Sequence, residues 1–167
     1  MNMKSARWIW VIVALQVVFL LGWAGYHEMI RSTAPTVRLK TLPVDPRDIL
    51  RGDYMTLNYE ISRPEKSVKR TGHIEGEVFV VLKRSGAHHV IDEILSEAPS
   101  PDDPRLWVSA KAWGADDNPR LDYGIERFFV PEGRGTPTFT TLEVEASVSA
   151  THHLYIRRVW LDGKRFP

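Results

Sequence analysis

An uncharged apolar run near the N-terminus constrains this chain more than any other feature. From Trp8 to Tyr26 the sequence holds no charged residue, and Gln16 is its only strongly polar side chain. As an α-helix the run would rise about 28 Å, close to the roughly 30 Å thickness of a bilayer's hydrocarbon core. Aromatic side chains near both ends favour the membrane interface. The sequence therefore predicts a transmembrane helix over residues 8–26.

The residues that flank this run predict its orientation. Lys4 and Arg7 precede it, so we expect residues 1–7 to lie in the cytoplasm. A connector at 27–35 would then lead to a domain on the far side of an inner membrane, in the periplasm. On this interpretation the lipid bilayer is a partner of the chain through Trp8–Tyr26.

A cleaved signal peptide is the alternative to a permanent anchor. Gly22 and Ala24 would lie at the cleavage site, although the apolar run is longer than the usual core of about 7–15 residues. The chain has no cysteine, which excludes both a lipoprotein anchor and a disulfide framework.

Residues 36–167 carry the pattern of a β domain. About eight short alternating or continuous apolar stretches are separated by turn residues, with almost no helical period. The cleanest alternation runs from Leu142 to Ser149. The predicted strand Glu77–Leu82 is instead apolar at every position after Glu77, as in a strand buried on both faces. We predict an all-β antiparallel sandwich or small barrel with a core that needs no metal or disulfide. A formal net charge of +1 predicts no nucleic-acid partner.

One of the predicted strands follows a tight turn. Gly52 tolerates backbone angles that a side chain forbids, and Asp53 can close a turn on its own backbone. The residues that follow alternate in polarity, so every second one should face the core. The expected core face comprises Met55, Leu57, Tyr59 and Ile61; the opposite face comprises Tyr54, Thr56, Asn58 and Glu60.

This strand also carries a family resemblance. Gly52-Asp53-Tyr54, followed by Leu57 and Tyr59, resembles the signature of the bacterial GDYXXXLXY family of membrane-anchored proteins, with two residues here where that signature has three. A second block at 123–133, which reads YGIERFFVPEG, is similar to the family's downstream segment. The resemblance covers nearly the whole chain. It implies a multi-pass membrane protein as the partner to look for first, and it implies no established activity.

The polar and aromatic residues of these two blocks are the candidate binding residues. If the blocks are neighbours, their carboxylates could act as acid and base, or their rim could bind a partner. The structural alternative is that Asp53 caps its turn and that Glu126 and Arg127 form cross-strand pairs. Because adjacent strand residues point to opposite faces, either Phe128 or Phe129 should face outward, where it could dock a partner. The candidate binding residues are Arg51, Asp53, Tyr54, Glu126, Arg127, Phe129, Pro131 and Glu132.

We therefore predict a membrane-anchored, non-enzymatic interaction module, with two alternatives. The first is a membrane-tethered peptidase, because parts of the chain are similar to type I signal peptidases. Ser32 would be the nucleophile and Lys69 the base, but Lys69 lies in a charged segment that reads as solvated, and a lysine base must be desolvated. The second is a small-ligand-binding β domain.

The adjacent histidine pairs, His88–His89 and His152–His153, cannot chelate because strand neighbours point apart, so we predict no metal and no cofactor.

Overall fold

The computed structural model describes residues 3–42, 54–100, 102–115, 118–129 and 139–166. The chain divides into two compact units, Met1–Ala34 and Pro35–Pro167. The first unit is helical and the second is built from strands.

A single long helix, α1 (Met3–Thr33), forms the first unit. Its segment Trp8–Met29 is long and apolar enough to cross a membrane, and none of its most apolar stretch is buried. Cleaved signal sequences share this length and composition. The helix extends beyond the predicted end at Tyr26, so most of the expected connector at 27–35 is helical. The Thr33 hydroxyl donates a hydrogen bond to the Met29 carbonyl oxygen at 3.0 Å, which satisfies a backbone acceptor in the last turn.

The second unit is a β domain with one short 3₁₀ turn at Glu60–Ser62. Its described residues form eleven strands, more than the eight or so predicted, because several have only three residues. The strands are β1 (Thr36–Lys40), β2 (Tyr54–Thr56), β3 (Lys69–Thr71), β4 (Gly76–Ser85), β5 (His88–Leu95), β6 (Trp107–Trp113), β7 (Arg120–Asp122), β8 (Arg127–Phe129), β9 (Leu142–Val148), β10 (Leu154–Leu161) and β11 (Lys164–Phe166).

These strands form two larger sheets and one short ribbon. One sheet has the order β1-β9-β10-β11, and the other has the order β3-β5-β4-β6-β7. The ribbon pairs β2 with β8. All pairings between the described strands are antiparallel except that of β3 with β5, which is parallel. The all-β class predicted from sequence is confirmed.

A single hydrophobic cluster receives side chains from both larger sheets. Strand β9 shows how sequence dictates this: its alternate residues Leu142, Val144, Ala146 and Val148 are buried, as their alternation predicts. Strand β4 is apolar on both faces, and its buried residues include the consecutive pair Val80 and Val81. The core is therefore made mostly of aliphatic side chains on paired strands.

Histidines join the two larger sheets. The backbone N–H of Arg38 in β1 donates to Nδ1 of His89 in β5 at 3.2 Å. Near the start of β10, the ring of His152 stacks on Trp107 of β6, with centroids 3.4 Å apart and planes 9° from parallel. Because His152 has a positive φ of 60°, the tight turn between β9 and β10 places this ring against the opposite sheet.

Candidate functional site

The ribbon of β2 and β8 brings the two sequence blocks together. In its register Tyr54 pairs with Phe129, and Thr56 pairs with Arg127. The Leu57 N–H then donates to the Glu126 carbonyl oxygen at 2.7 Å, which extends the contact beyond the ribbon. The two blocks are therefore neighbours. The candidate binding rim predicted from the sequence depended on this.

The core-facing residues of the motif strand lie where their alternation predicts. Leu57, Tyr59 and Ile61 are buried, whereas Thr56 on the other face is exposed. The regular strand is shorter than expected, because it ends at Thr56 and the chain forms the 3₁₀ turn at Glu60–Ser62. The side chain of Met55 lies outside the described residues, so its predicted burial stays a prediction.

Two buried tyrosines connect the blocks reciprocally. The Tyr59 hydroxyl donates to the Ile125 carbonyl oxygen at 2.8 Å, and the Tyr123 hydroxyl donates to the Ile61 carbonyl oxygen at 2.9 Å. Burial, followed by the nearby charge of Glu126, raises the pKa of both phenols. Both tyrosines therefore remain neutral hydrogen-bond donors that fix one block against the other.

A carboxyl pair lies at the base of the ribbon, directly before β8. Burial and a hydrogen bond with Asp122 raise the pKa of Glu126 to about 7. The same hydrogen bond lowers the pKa of Asp122, whose carboxylate also accepts the Gly124 N–H at 2.9 Å. The Tyr123 N–H donates to Glu126 Oε1 at 2.7 Å. Near neutral pH the Glu126 carboxyl can therefore hold a proton that it donates to Asp122.

Asp122 was not among the candidate residues from sequence. The sequence predicted only that carboxylates of the two blocks could meet, or that Glu126 and Arg127 form cross-strand pairs. An aspartate two residues before a glycine indicates a turn, and Gly124 has a φ of 77°. That turn brings two carboxyl groups four residues apart into contact, so the signal was present in the sequence Asp-Tyr-Gly-Ile-Glu.

The two phenylalanines of β8 face opposite ways. Phe128 packs against the core, with its ring centroid 6.3 Å from that of Phe166 in an edge-to-face arrangement. Phe129 is 64% exposed. An outward-facing aromatic therefore lies on the ribbon that carries the family motif.

Of the other candidate binding residues, only the side chain of Arg127 lies within the described part of the chain. Arg127 is exposed on β8. Arg51, Asp53, Pro131 and Glu132 and the side chain of Tyr54 lie outside the described residues, so their predicted roles stay predictions.

Lys69 does not have the environment of a general base. Its side chain is 74% exposed, and its ammonium lies 2.7 Å from the carboxylate of Glu93, which is mostly buried. Arg105 contacts the same carboxylate at 3.0 Å. These cations lower the pKa of Glu93, most strongly through the Lys69 hydrogen bond. Lys69 is therefore solvated and ion-paired, whereas a lysine base must be desolvated. Ser32 lies in the last part of α1, with its side chain outside the described set.

A half-open cleft of about 330 Å³ lies between the 3₁₀ turn and strands β4 and β5. This cleft could not be predicted from the sequence, because its walls come from segments far apart in the chain. Its acidic groups are partly neutralised: Asp92 lies 2.7 Å from Lys83, and Glu60 lies 2.8 Å from Lys40. The lining residues are Glu60, Ile61, Arg63, Pro64, Glu65, Ser67, Val68, Lys83, Val90, Ile91 and Asp92.

Within the described ranges, no three or more histidine and acidic side chains are grouped so that they could hold a metal ion. The adjacent histidines of β5 have separate neighbours: His88 Nε2 lies 3.1 Å from Glu143, and His89 accepts the Arg38 N–H. Both histidines therefore contact residues of the other larger sheet, on β9 and β1.

The fold and this site define a small all-β domain that follows a helix able to span a membrane. The model of the GDYXXLXY protein family matches residues 16–158, and the chain belongs to that family. The family pattern has two free positions before its leucine, as this chain does, so the apparent departure of one residue was an error in the expected signature. No curated protein and no solved structure matches the chain.

Proposed function

We propose that this chain is a membrane-anchored accessory module whose β domain binds a multi-pass membrane protein. The domain would act without catalysis, as an interaction partner held close to the bilayer. An anchor raises the effective concentration of the domain near any membrane partner, so even a small contact surface can be sufficient.

The observation that carries this proposal is the exposure of Phe129. A large aromatic on the surface is a typical centre of a binding hot spot, because it buries much apolar area when a partner covers it. Phe129 also pairs in register with Tyr54 of the Gly-Asp-Tyr motif. The strand of the motif thus pairs with the strand that carries the exposed Phe129, and the motif residues Leu57 and Tyr59 are buried in the core.

The proposed location is an inner membrane, with the N-terminus in the cytoplasm and the β domain in the periplasm. Lys4 and Arg7 before the span support this orientation. We expect an export-dependent reporter fused after Pro167 to be active and a cytoplasm-dependent reporter to be inactive. The opposite result would reverse the orientation, and a mature chain that begins near Gly25 would replace the anchor with a cleaved signal peptide.

Partner capture tests the role of Phe129. We expect Phe129→Ser to reduce co-purification of the membrane partner from detergent-solubilised membranes by about tenfold or more, as for a hot-spot aromatic. Tyr155→Ser is the matched control, because Tyr155 is a similarly exposed aromatic, at 59%, on β10 of a different sheet. Thermal melts of both variants verify that the fold is intact.

Comparison of the two variants distinguishes specific binding through the ribbon from non-specific hydrophobic binding. Loss of capture in Phe129→Ser alone supports the proposal. Equal loss in both variants would indicate non-specific hydrophobic adhesion, and unchanged capture in both would contradict the role of the ribbon.

The cleft favours a second candidate function, the binding of a small ligand. Its size is at the lower end of the range for small-molecule sites, about 300–1,000 Å³. Its walls combine aliphatic side chains with charged groups. Ligand-dependent thermal stabilisation of the wild type that is lost on narrowing the cleft with Val90→Trp would favour this function over the accessory role.

A further inference from the structure

Gln16, the polar residue inside the apolar span, has no hydrogen-bond partner in the part of the chain that the structure describes. Gln16 lies near the middle of Trp8–Met29, and its side chain is exposed on α1. Its carboxamide forms no hydrogen bond with any residue in the described part of the chain. A bilayer can cover its apolar neighbours, but lipid tails offer this carboxamide neither a donor nor an acceptor.

One stripe of the helix contains Gln16 and large side chains. Positions four before, four after and seven after Gln16 lie on the same side of an α-helix. They are Ile12, Leu20 and Trp23, and with Gln16 they form what we call the Gln16 face. Near the end of the span, the ring of Trp23 contacts His27, with centroids 5.0 Å apart. Val18 lies on the opposite side.

We propose that the Gln16 face is the contact surface of a parallel dimer formed by two copies of α1 in the membrane. This inference rests on the proposed anchoring of the chain. A carboxamide both donates and accepts, so two copies of Gln16 can satisfy each other without a third group. Copies inserted with the same orientation place Gln16 at the same depth by symmetry. Side-chain amides are known to hold transmembrane helices together in this way.

Cysteine cross-linking in membranes can test the face directly, because the chain has no cysteine of its own. Single-cysteine variants of the full-length protein keep Gln16 intact: Leu20→Cys lies on the Gln16 face, and Val18→Cys is the matched control on the opposite side. Under mild oxidation we expect Leu20→Cys to form a disulfide-linked dimer and Val18→Cys to stay mostly monomeric.

Gln16 substitutions in the Leu20→Cys background test the carboxamide itself. Gln16→Leu should lower the cross-linked fraction by roughly 3- to 20-fold, the range that one interhelical hydrogen bond supports. Gln16→Asn should retain most of it, because an amide remains at the same depth. If the helices met only through apolar contacts, the cross-linked fraction would be unchanged in Gln16→Leu, and the role of the carboxamide would be contradicted.

The outcomes distinguish this inference from the proposed anchoring. An intact chain in the membrane fraction without a cross-linked dimer overturns the dimer. Equal cross-linking at positions 18 and 20 would contradict the Gln16 face as the contact surface. A cross-link to a chain of different mass would mean that Gln16 contacts the membrane partner instead of a second copy. Release of a shortened chain from the membrane would contradict the anchor instead.

Discussion

Replacing Leu57 with alanine will lower the free energy of unfolding by about 2–5 kcal/mol. Leu57 is 1% exposed and belongs to the central hydrophobic cluster, so the substitution removes buried methyl groups and leaves a cavity. Its backbone N–H holds the Glu126 carbonyl oxygen, and alanine keeps that bond. The measurement is urea unfolding of the full-length protein in detergent, followed by tryptophan fluorescence.

Thr56→Ala is the control for this experiment. Thr56 is the adjacent residue on the opposite, exposed face, and it is the last residue of β2. We expect its substitution to change the free energy of unfolding by only about 0.5 kcal/mol or less. Equal and small effects of the two substitutions would contradict the facing of the motif strand.

The long alternating strands of this fold could be predicted from sequence because their signal is local. In β9 every second residue is buried, as its alternation indicates. The burial of Leu57 and Tyr59 follows from the same period of two, even though the regular strand ends before them. Alternation therefore reports which face meets the core, whether or not the backbone pairs as a regular ladder.

The short elements could not be predicted, because three residues show no period. Strand β3 reads Lys-Arg-Thr and lies in the charged segment around Lys69 that reads as solvated. It forms because its backbone pairs with β5, and the nearly buried Glu93 of that strand accepts hydrogen bonds from Lys69 and Thr71. Such an element depends on a residue more than twenty positions away, which no local pattern reveals.

The candidate site was predictable in its location but not in its chemistry. The sequence identified two blocks, and Glu126 and Phe129 among their residues. It could not show that Glu126 contacts Asp122, because that contact depends on the turn at Gly124, where φ is positive, and on how deeply the fold buries Glu126. Long-range packing, rather than the motif itself, determines which carboxyl groups meet.

Glu126→Gln will make the protein more stable at pH 8 by about 1–2 kcal/mol. The pKa of Glu126 is about 7 in the folded protein, about 2.5 above the 4.5 that is usual for a glutamate. At about 1.36 kcal/mol per unit this is roughly 3.4 kcal/mol, which we reduce because Glu126 is only half-buried. Glutamine can keep both hydrogen bonds: its oxygen accepts from the Tyr123 N–H, and its NH₂ donates to Asp122.

The sign of this effect follows from the direction of the shift. A carboxyl group whose pKa is raised on folding stabilises the fold below its unfolded pKa, near 4.5, and that contribution is lost as pH rises through about 7. The pKa values of Asp122 and His89 are lowered on folding, so their effect on stability has the opposite pH dependence. Each stabilises the fold at higher pH and loses that contribution as pH falls. The contribution of His89 cancels in the difference between variant and wild type, which therefore reports on the hydrogen-bonded pair of Glu126 and Asp122.

The pH series contains its own control. We expect Glu126→Gln and wild type to have similar stability near pH 4.5 and to diverge between pH 5 and 8, measured by urea unfolding at each pH. Glu97→Gln, at an exposed glutamate, should follow the wild type throughout. A constant offset across the range would mean that glutamine alters packing rather than charge. A loss of stability at pH 8 would mean that Asp122 and an ionised Glu126 are held apart, so that no proton is shared at the base of the ribbon.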